Sequence, residues 1–156
     1  MKLVLQRVSK ASVEVDGKIV GDINKGLVAL LGVEQGDTEE DAAFLAQKTV
    51  DLRIFADENG KMNKSLLDAG GSVLLISQFT LMADWRQGRR PGFTRAAAPA
   101  EADKMYRRFG ELLSERNAPV QHGVFGAHMN LSLVNDGPVT LILENQFAGQ
   151  MRGAGV

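Results

Sequence analysis

At 156 residues, with 44% hydrophobic and 24% charged residues, the chain has the make-up of an ordinary globular protein and the length for one sizeable core. It holds no cysteine, which excludes disulfides, thiolate catalysis and cysteine-based zinc frames. A net charge of -1 excludes a generic nucleic-acid coat protein, so any contact with RNA has to come from a local patch.

The elements follow in chain order. Lys2 to Val8 alternates apolar and polar residues, and Ser12 to Val15 continues the strand character. Asp16-Gly17 is a strong hairpin signal ahead of Ile19-Val20. Gly26 to Val33 is nearly all apolar and predicts a strand buried on both faces. Asp37-Thr38 offers a helix N-cap, with Glu39, Glu40 and Asp41 in the first turn, and Ala42, Leu45, Thr49 and Leu52 form a helical stripe to about Ile54. A polar turn surrounds Asn59-Gly60, and Gly70-Gly71 breaks the chain before Ser72 to Leu81, expected as a second buried strand. Trp85 to Arg95 is a loop. Pro99 opens the best helix, with Ala102, Met105, Tyr106, Phe109, Leu112 and Leu113 on one face, and Asn117-Ala118-Pro119 stops it. Asn130 to Asn135 is a strand, Asp136-Gly137-Pro138 a turn, and Val139 to Leu143 the last strand; the Gly-rich tail from Ala148 to Val156 is expected to be loose. Short turns between strands predict an α+β, β-barrel-like domain, mainly antiparallel or mixed, with two or more flanking helices, and residues 1–156 forming a single domain. The longest apolar runs, such as Val73 to Ile76, are too short to span a bilayer, and Met1 to Leu5 lacks a signal peptide's apolar stretch, so a cytoplasmic location without membrane contact is expected.

Few segments carry chemistry. His122 and His128 are the only histidines, at a spacing that matches no metal-ligand frame, so no metal is expected. Asp57-Glu58-Asn59-Gly60 lacks the rest of a calcium loop, and neither a phosphate loop nor a nucleophile elbow is present. Ser77-Gln78-Phe79-Thr80 brings three hydrogen-bonding side chains to the end of an apolar strand; it marks either a site or a strand emerging into solvent. Alternation puts Gln78 and Thr80 on one face and Ser77 and Phe79 on the other. The loop from Trp85 to Arg95 carries Arg86, Arg89, Arg90 and Arg95 beside Trp85 and Phe93, suited to phosphate contact and base stacking, or simply solvated. Gly137-Pro138 on residues alone reads as a hairpin turn.

In combination these segments resemble one family. Ser77-Gln78-Phe79-Thr80-Leu81 and Asn135-Asp136-Gly137-Pro138-Val139-Thr140 are similar to the two signature motifs of D-aminoacyl-tRNA deacylases, first described as D-tyrosyl-tRNA deacylases. Met1 to Val15, Gly88 to Pro91 and His122 to Met129 fit as well, so the resemblance covers nearly the whole chain. It implies a homodimer with the active site at the subunit interface. The implied activity is hydrolysis of the ester joining a D-amino acid, or glycine, to the terminal adenosine of tRNA, without cofactor. By the same resemblance Ser77, Gln78, Phe79 and Thr80 line the pocket, Thr80 matching the residue proposed as nucleophile. Gly137 and Pro138 match a Gly-cis-Pro element that reaches into the partner's pocket, and Phe125 and Met129 match positions near the terminal adenine. Arg86, Arg89 and Arg90 are the expected RNA contacts. No base is assigned to Thr80, which favours a positioning role, with the tRNA 2′-hydroxyl assisting the attacking water. The competing readings are a non-catalytic tRNA-binding module, a structural oligomer, and a metal-dependent esterase using the histidines.

Overall fold

The computed structural model describes residues 1–145; the expected loose tail from Ala148 to Val156 lies outside them. Eight strands and two helices follow in the order β1 (Lys2–Val15), β2 (Lys18–Ile23), β3 (Gly26–Gly32), α1 (Glu39–Asp51), β4 (Phe55–Ala56), β5 (Met62–Lys64), β6 (Ser72–Ser77), α2 (Pro99–Glu115), β7 (Val120–His122) and β8 (Asn130–Glu144). None of the described helices is long and apolar enough to cross a membrane.

The main sheet is mixed. β1 is antiparallel to β3 along its first half and to β2 along its second, while β8 pairs antiparallel with nearly its whole length on the other side. β3, β6 and β7 run parallel, β6 and β7 each reached through a crossover that contains a helix. The sheet curls until β2 approaches β7, where the Asp22 amide donates to the Gln121 side chain at 2.9 Å. The result is the nearly closed, barrel-like α+β fold expected from the sequence.

Two apolar clusters explain why β3 from Leu27 to Leu31 and β6 from Val73 to Ile76 are apolar at every position. Leu27, Ala29 and Leu31 of β3, with Val73 and Leu75 of β6, face the helices and pack with Leu45 and Val50 of α1 and Phe109 and Leu113 of α2. Val28, Leu74 and Ile76 point the other way, into the curl of the sheet, with Val8, Val13 and Ile23. A strand covered on both faces has no solvent face to mark with polar residues. Thr38 begins α1 with a capping box: its side chain accepts from the Asp41 amide, and the Asp41 carboxylate accepts from the Thr38 amide. Asp37 serves elsewhere. Its carboxylate takes the buried α-ammonium group of Met1 at 2.7 Å, and that group also donates to Asn145 at 3.0 Å.

Three expectations need correction. The strand expected from Ser72 to Leu81 ends at Ser77, and Phe79–Met82 turns as a 3-10 helix. The helix expected to reach about Ile54 stops at Asp51, with Leu52 as its C-cap. Asp136-Gly137-Pro138 is not a turn between two strands. β8 runs through it as one strand, and the excess residues bulge out because Gln6 pairs with Thr140 while Val8 already pairs with Asn135.

Candidate active site

The site begins where β6 runs out of core. The Gln78 amide donates to the Leu31 carbonyl at 2.8 Å, which ties the end of β6 to β3 and starts the 3-10 turn. Gly32 lets that turn lie close: a Cβ there would stand 3.0 Å from the Gln78 carbonyl, from Leu81 and from Met82. In a turn this short, the amides of Phe79 and Thr80 stand at the N-terminal end, where the turn itself supplies no acceptor. The alternation expected of a strand is therefore lost after Ser77. Gln78 and Thr80 meet because the chain turns, and the Gln78 side-chain amide donates to the Thr80 hydroxyl.

Beside the turn lies a hollow of about 690 Å³, open to solvent and mainly apolar. Ser77, Gln78 and Phe79 line one side, Phe125 and Met129 another, and Phe93, Ala96, Ala97 and Pro99 a third. Five of the expected pocket residues thus converge, although nearly fifty residues separate the two sets. Phe79 and Phe93 meet edge to face with centroids 5.1 Å apart. Thr80 is exposed beside Phe79; among the described residues its side chain is bonded only by the Gln78 amide, which cannot act as a base.

Gly137 and Pro138 do not line this hollow. They stand exposed on the β8 bulge, with a cis peptide bond between them. Gly137 has φ +133°, and a Cβ there would meet Val139 Cγ2 at 2.8 Å and the Val139 amide at 3.0 Å, so glycine is required. Arg7 holds the bulge from below. Its Nε donates to the Asp136 carbonyl at 3.0 Å and lies 3.3 Å from the Asp136 carboxylate, while Nη1 donates to the Ile54 carbonyl at 2.6 Å. Sequence reasoning missed Arg7. It sits in an unremarkable strand position, and only the pairing of β1 with β8 puts it under the motif. Phe93 and His128 were likewise missed as pocket lining, because only the tertiary fold shows that they face the hollow, as was the Ala96–Ala98 stretch, whose small apolar residues carry no chemical signal.

Arg86, Arg89 and Arg90 are exposed on the loop between Asp84 and Gly92, which pair with each other. Arg95 is engaged instead: it holds Glu34 at 2.7 Å. The two histidines stand in different hollows. His128 lines the apolar one, whereas His122 packs edge to face on Tyr106, 5.7 Å between centroids, and fills the space above Gly110. Among the described residues no group of three or more His, Asp or Glu side chains is arranged to hold a metal ion. Burial pushes the Tyr106 phenol up to about 12, helped by Asp103; its hydroxyl donates to the Leu75 carbonyl at 2.9 Å and serves structure.

Residues 4–144 match the family model described as D-Tyr-tRNA(Tyr) deacylase. The chain belongs to that family. Among relatives of the deacylase, the D-aminoacyl-tRNA deacylase of Rhodopirellula baltica is 58% identical over 144 residues, covering 92% of this chain and 99% of the relative. That of Bacillus velezensis is 53% identical over 146 residues, covering 94% and 99%. The solved structure titled c-Myc DNA Unwinding Element Binding Protein superposes with a TM-score of 0.88 at 39% identity, covering 92% of this deacylase and 98% of that chain. A probable eukaryotic D-amino acid tRNA deacylase shares the fold with a TM-score of 0.76 at 18% identity, covering 91% and 97%.

Proposed function

We propose that this protein hydrolyses the ester between a D-amino acid and the terminal adenosine of tRNA, releasing free tRNA and the D-amino acid, and that it accepts glycyl-tRNA as well. Family membership supports the reaction. The observation that carries the mechanism is the 3-10 turn at the hollow's edge: its first two amides lack an acceptor within the turn, and among the described residues the Thr80 hydroxyl beside them is bonded only by the Gln78 amide.

An aminoacyl ester is already activated, so modest assistance suffices. The amides of Phe79 and Thr80 donate to the oxyanion as water adds to the carbonyl carbon. The bond from that carbon to the ribose oxygen then breaks, and the ribose oxygen leaves with a proton. Thr80, held by Gln78, positions the ester; the neighbouring ribose 2′-hydroxyl orients the water. Ser77 and Phe79 border the reacting group, while Phe125 and Met129 take the adenine. Arg86, Arg89 and Arg90 meet phosphates further along the acceptor end.

Gly137 and Pro138, whose carbonyls are needed to read the α-amino group, are exposed and do not line this chain's own hollow, so the reading requires a second copy. We infer a homodimer in which Gly137 and Pro138 of the partner subunit enter the pocket. β8 supports this: it is a long strand paired on one side only among the described residues, with Val134 and Ile142 exposed. We assign the enzyme to the cytoplasm, where charged tRNA is used.

Matched D- and L-aminoacyl-tRNAs, with glycyl-tRNA alongside, test the proposal. The expected result is rapid hydrolysis of the D and glycyl esters, sparing of the L form, and full activity in EDTA. Equal rates on both enantiomers, or none, overturn it. The solved neighbour named for DNA binding favours a second reading, nucleic-acid binding without catalysis; tight tRNA binding with no hydrolysis identifies it.

A further inference from the structure

We propose that Trp85 is a stacking platform for an unpaired nucleobase at the acceptor end of the tRNA. This rests on the deacylase reading above and adds to it a residue that neither signature motif contains.

Two aromatic residues flank the arginine loop, and the structure separates their roles. Phe93 turns inward, lines the hollow and packs edge-on against Phe79. Trp85 turns outward and is 71% exposed, the most exposed large hydrophobic side chain among the described residues. An indole left in water at that level contributes little to folding, because burial is what makes apolar surface stabilising. Its position is nevertheless held. The Asp84 and Gly92 backbones exchange hydrogen bonds of 2.8 and 2.9 Å, closing the base of the loop, and Trp85 is the first residue beyond that closure. Counting along the pairing from Phe93 at strand spacing puts Trp85 about 7 Å from the hollow's aromatic wall.

The surroundings select the partner. The Arg86 guanidinium lies 5.6 Å from the indole centroid, and the Asp84 carboxylate steadies it at 3.6 Å. Arg89 and Arg90 are exposed and form no ion pair among the described residues. An aromatic face bordered by guanidinium groups matches a base with its phosphates, the pattern by which single-stranded ends are held. A second copy of this chain would have to bury three guanidinium groups against its own near-neutral surface.

Trp85 is the chain's one tryptophan, so its fluorescence reports on the site directly. The probes are an uncharged RNA minihelix with a four-nucleotide single-stranded 3′ end and the same helix cut blunt, with binding followed separately by filter retention. The expected result is strong quenching by the overhanging helix and little by the blunt one. Trp85→Ala should weaken overhang binding and raise KM for D-aminoacyl-tRNA by about 5- to 100-fold, the range for loss of one base stack, with kcat nearly unchanged. Trp85→Phe should recover part of the loss. Saturated binding without preferential quenching, or an unchanged KM in Trp85→Ala, overturns the stacking role while leaving the deacylase reading intact. Preferential quenching in a protein that hydrolyses no D-aminoacyl-tRNA supports the stacking role and overturns the deacylase reading.

Discussion

Arg7→Ala measures how firmly the β8 bulge must be held. The guanidinium makes two hydrogen bonds to carbonyl oxygens, Asp136 at 3.0 Å and Ile54 at 2.6 Å, from a side chain only 12% exposed. A hydrogen bond from a charged donor contributes about 1.5–3 kcal/mol. The accompanying ion pair ends on an Asp136 carboxylate that is 59% exposed, which limits it to about 0–1 kcal/mol. Water replaces the donor at Asp136 more easily than at Ile54, so the expected loss is about 2–4 kcal/mol rather than the full sum. Arg7→Lys keeps the charge but cannot reach both carbonyls with a planar fork, and about half of the loss is expected there. A domain with about 5–15 kcal/mol of stability stays folded in either case. Activity should fall further than stability, by about 100-fold in kcat/KM, because a displaced backbone element misaligns the substrate. Urea unfolding and D-aminoacyl-tRNA hydrolysis in one buffer provide both readouts. An Arg7→Lys enzyme with unchanged unfolding midpoint and unchanged kcat/KM would refute the reasoning.

Other outcomes follow from the same geometry. Gly137→Ala forces a Cβ to 2.8 Å from Val139 at φ +133°, and a cost of about 1–3 kcal/mol is expected with a reduced D-to-L rate ratio; an intact ratio counts against a chiral role for the bulge. Thr80→Val should slow hydrolysis by about 10- to 100-fold without any acyl-enzyme burst in the parent, whereas a burst lost in the variant would make Thr80 the nucleophile. Thr38→Ala removes the α1 cap and should lower stability by about 1 kcal/mol in urea. Burial holds the His122 imidazole below its ordinary value of 6.5. As the pH falls below 6.5, the unfolded chain binds a proton that the folded chain resists, so stability declines through the folded value. His122→Gln should flatten that part of the curve, and parallel urea midpoints between pH 7 and pH 5 in both proteins would contradict it.

Much of this was legible beforehand because period and composition are local signals. The apolar run of β3 announced two covered faces, and Thr38 with Asp41 announced a helix start, since each depends on neighbours within a few residues. Ser77 to Thr80 stood out as polar residues closing an apolar strand. The end of that strand was misread, because Phe79 and Leu81 look as strand-like as the residues before them. What stops β6 is the tie of Gln78 to Leu31 and the fit of the turn on Gly32, both contributed by another strand.

Residue type and spacing were enough for the fold class, the helices and the absence of thiol chemistry, while the family was legible only through the resemblance of two segments to its signature motifs. Tertiary structure alone decided that Gly137 and Pro138 ride on an unbroken strand, that Arg7 supports them, and that Phe93 faces the hollow while Trp85 faces solvent. The reason is the distance along the chain: Arg7 and Asp136 are 129 residues apart. A bulge is created by the register between two strands, and neither strand's sequence records the position of its partner.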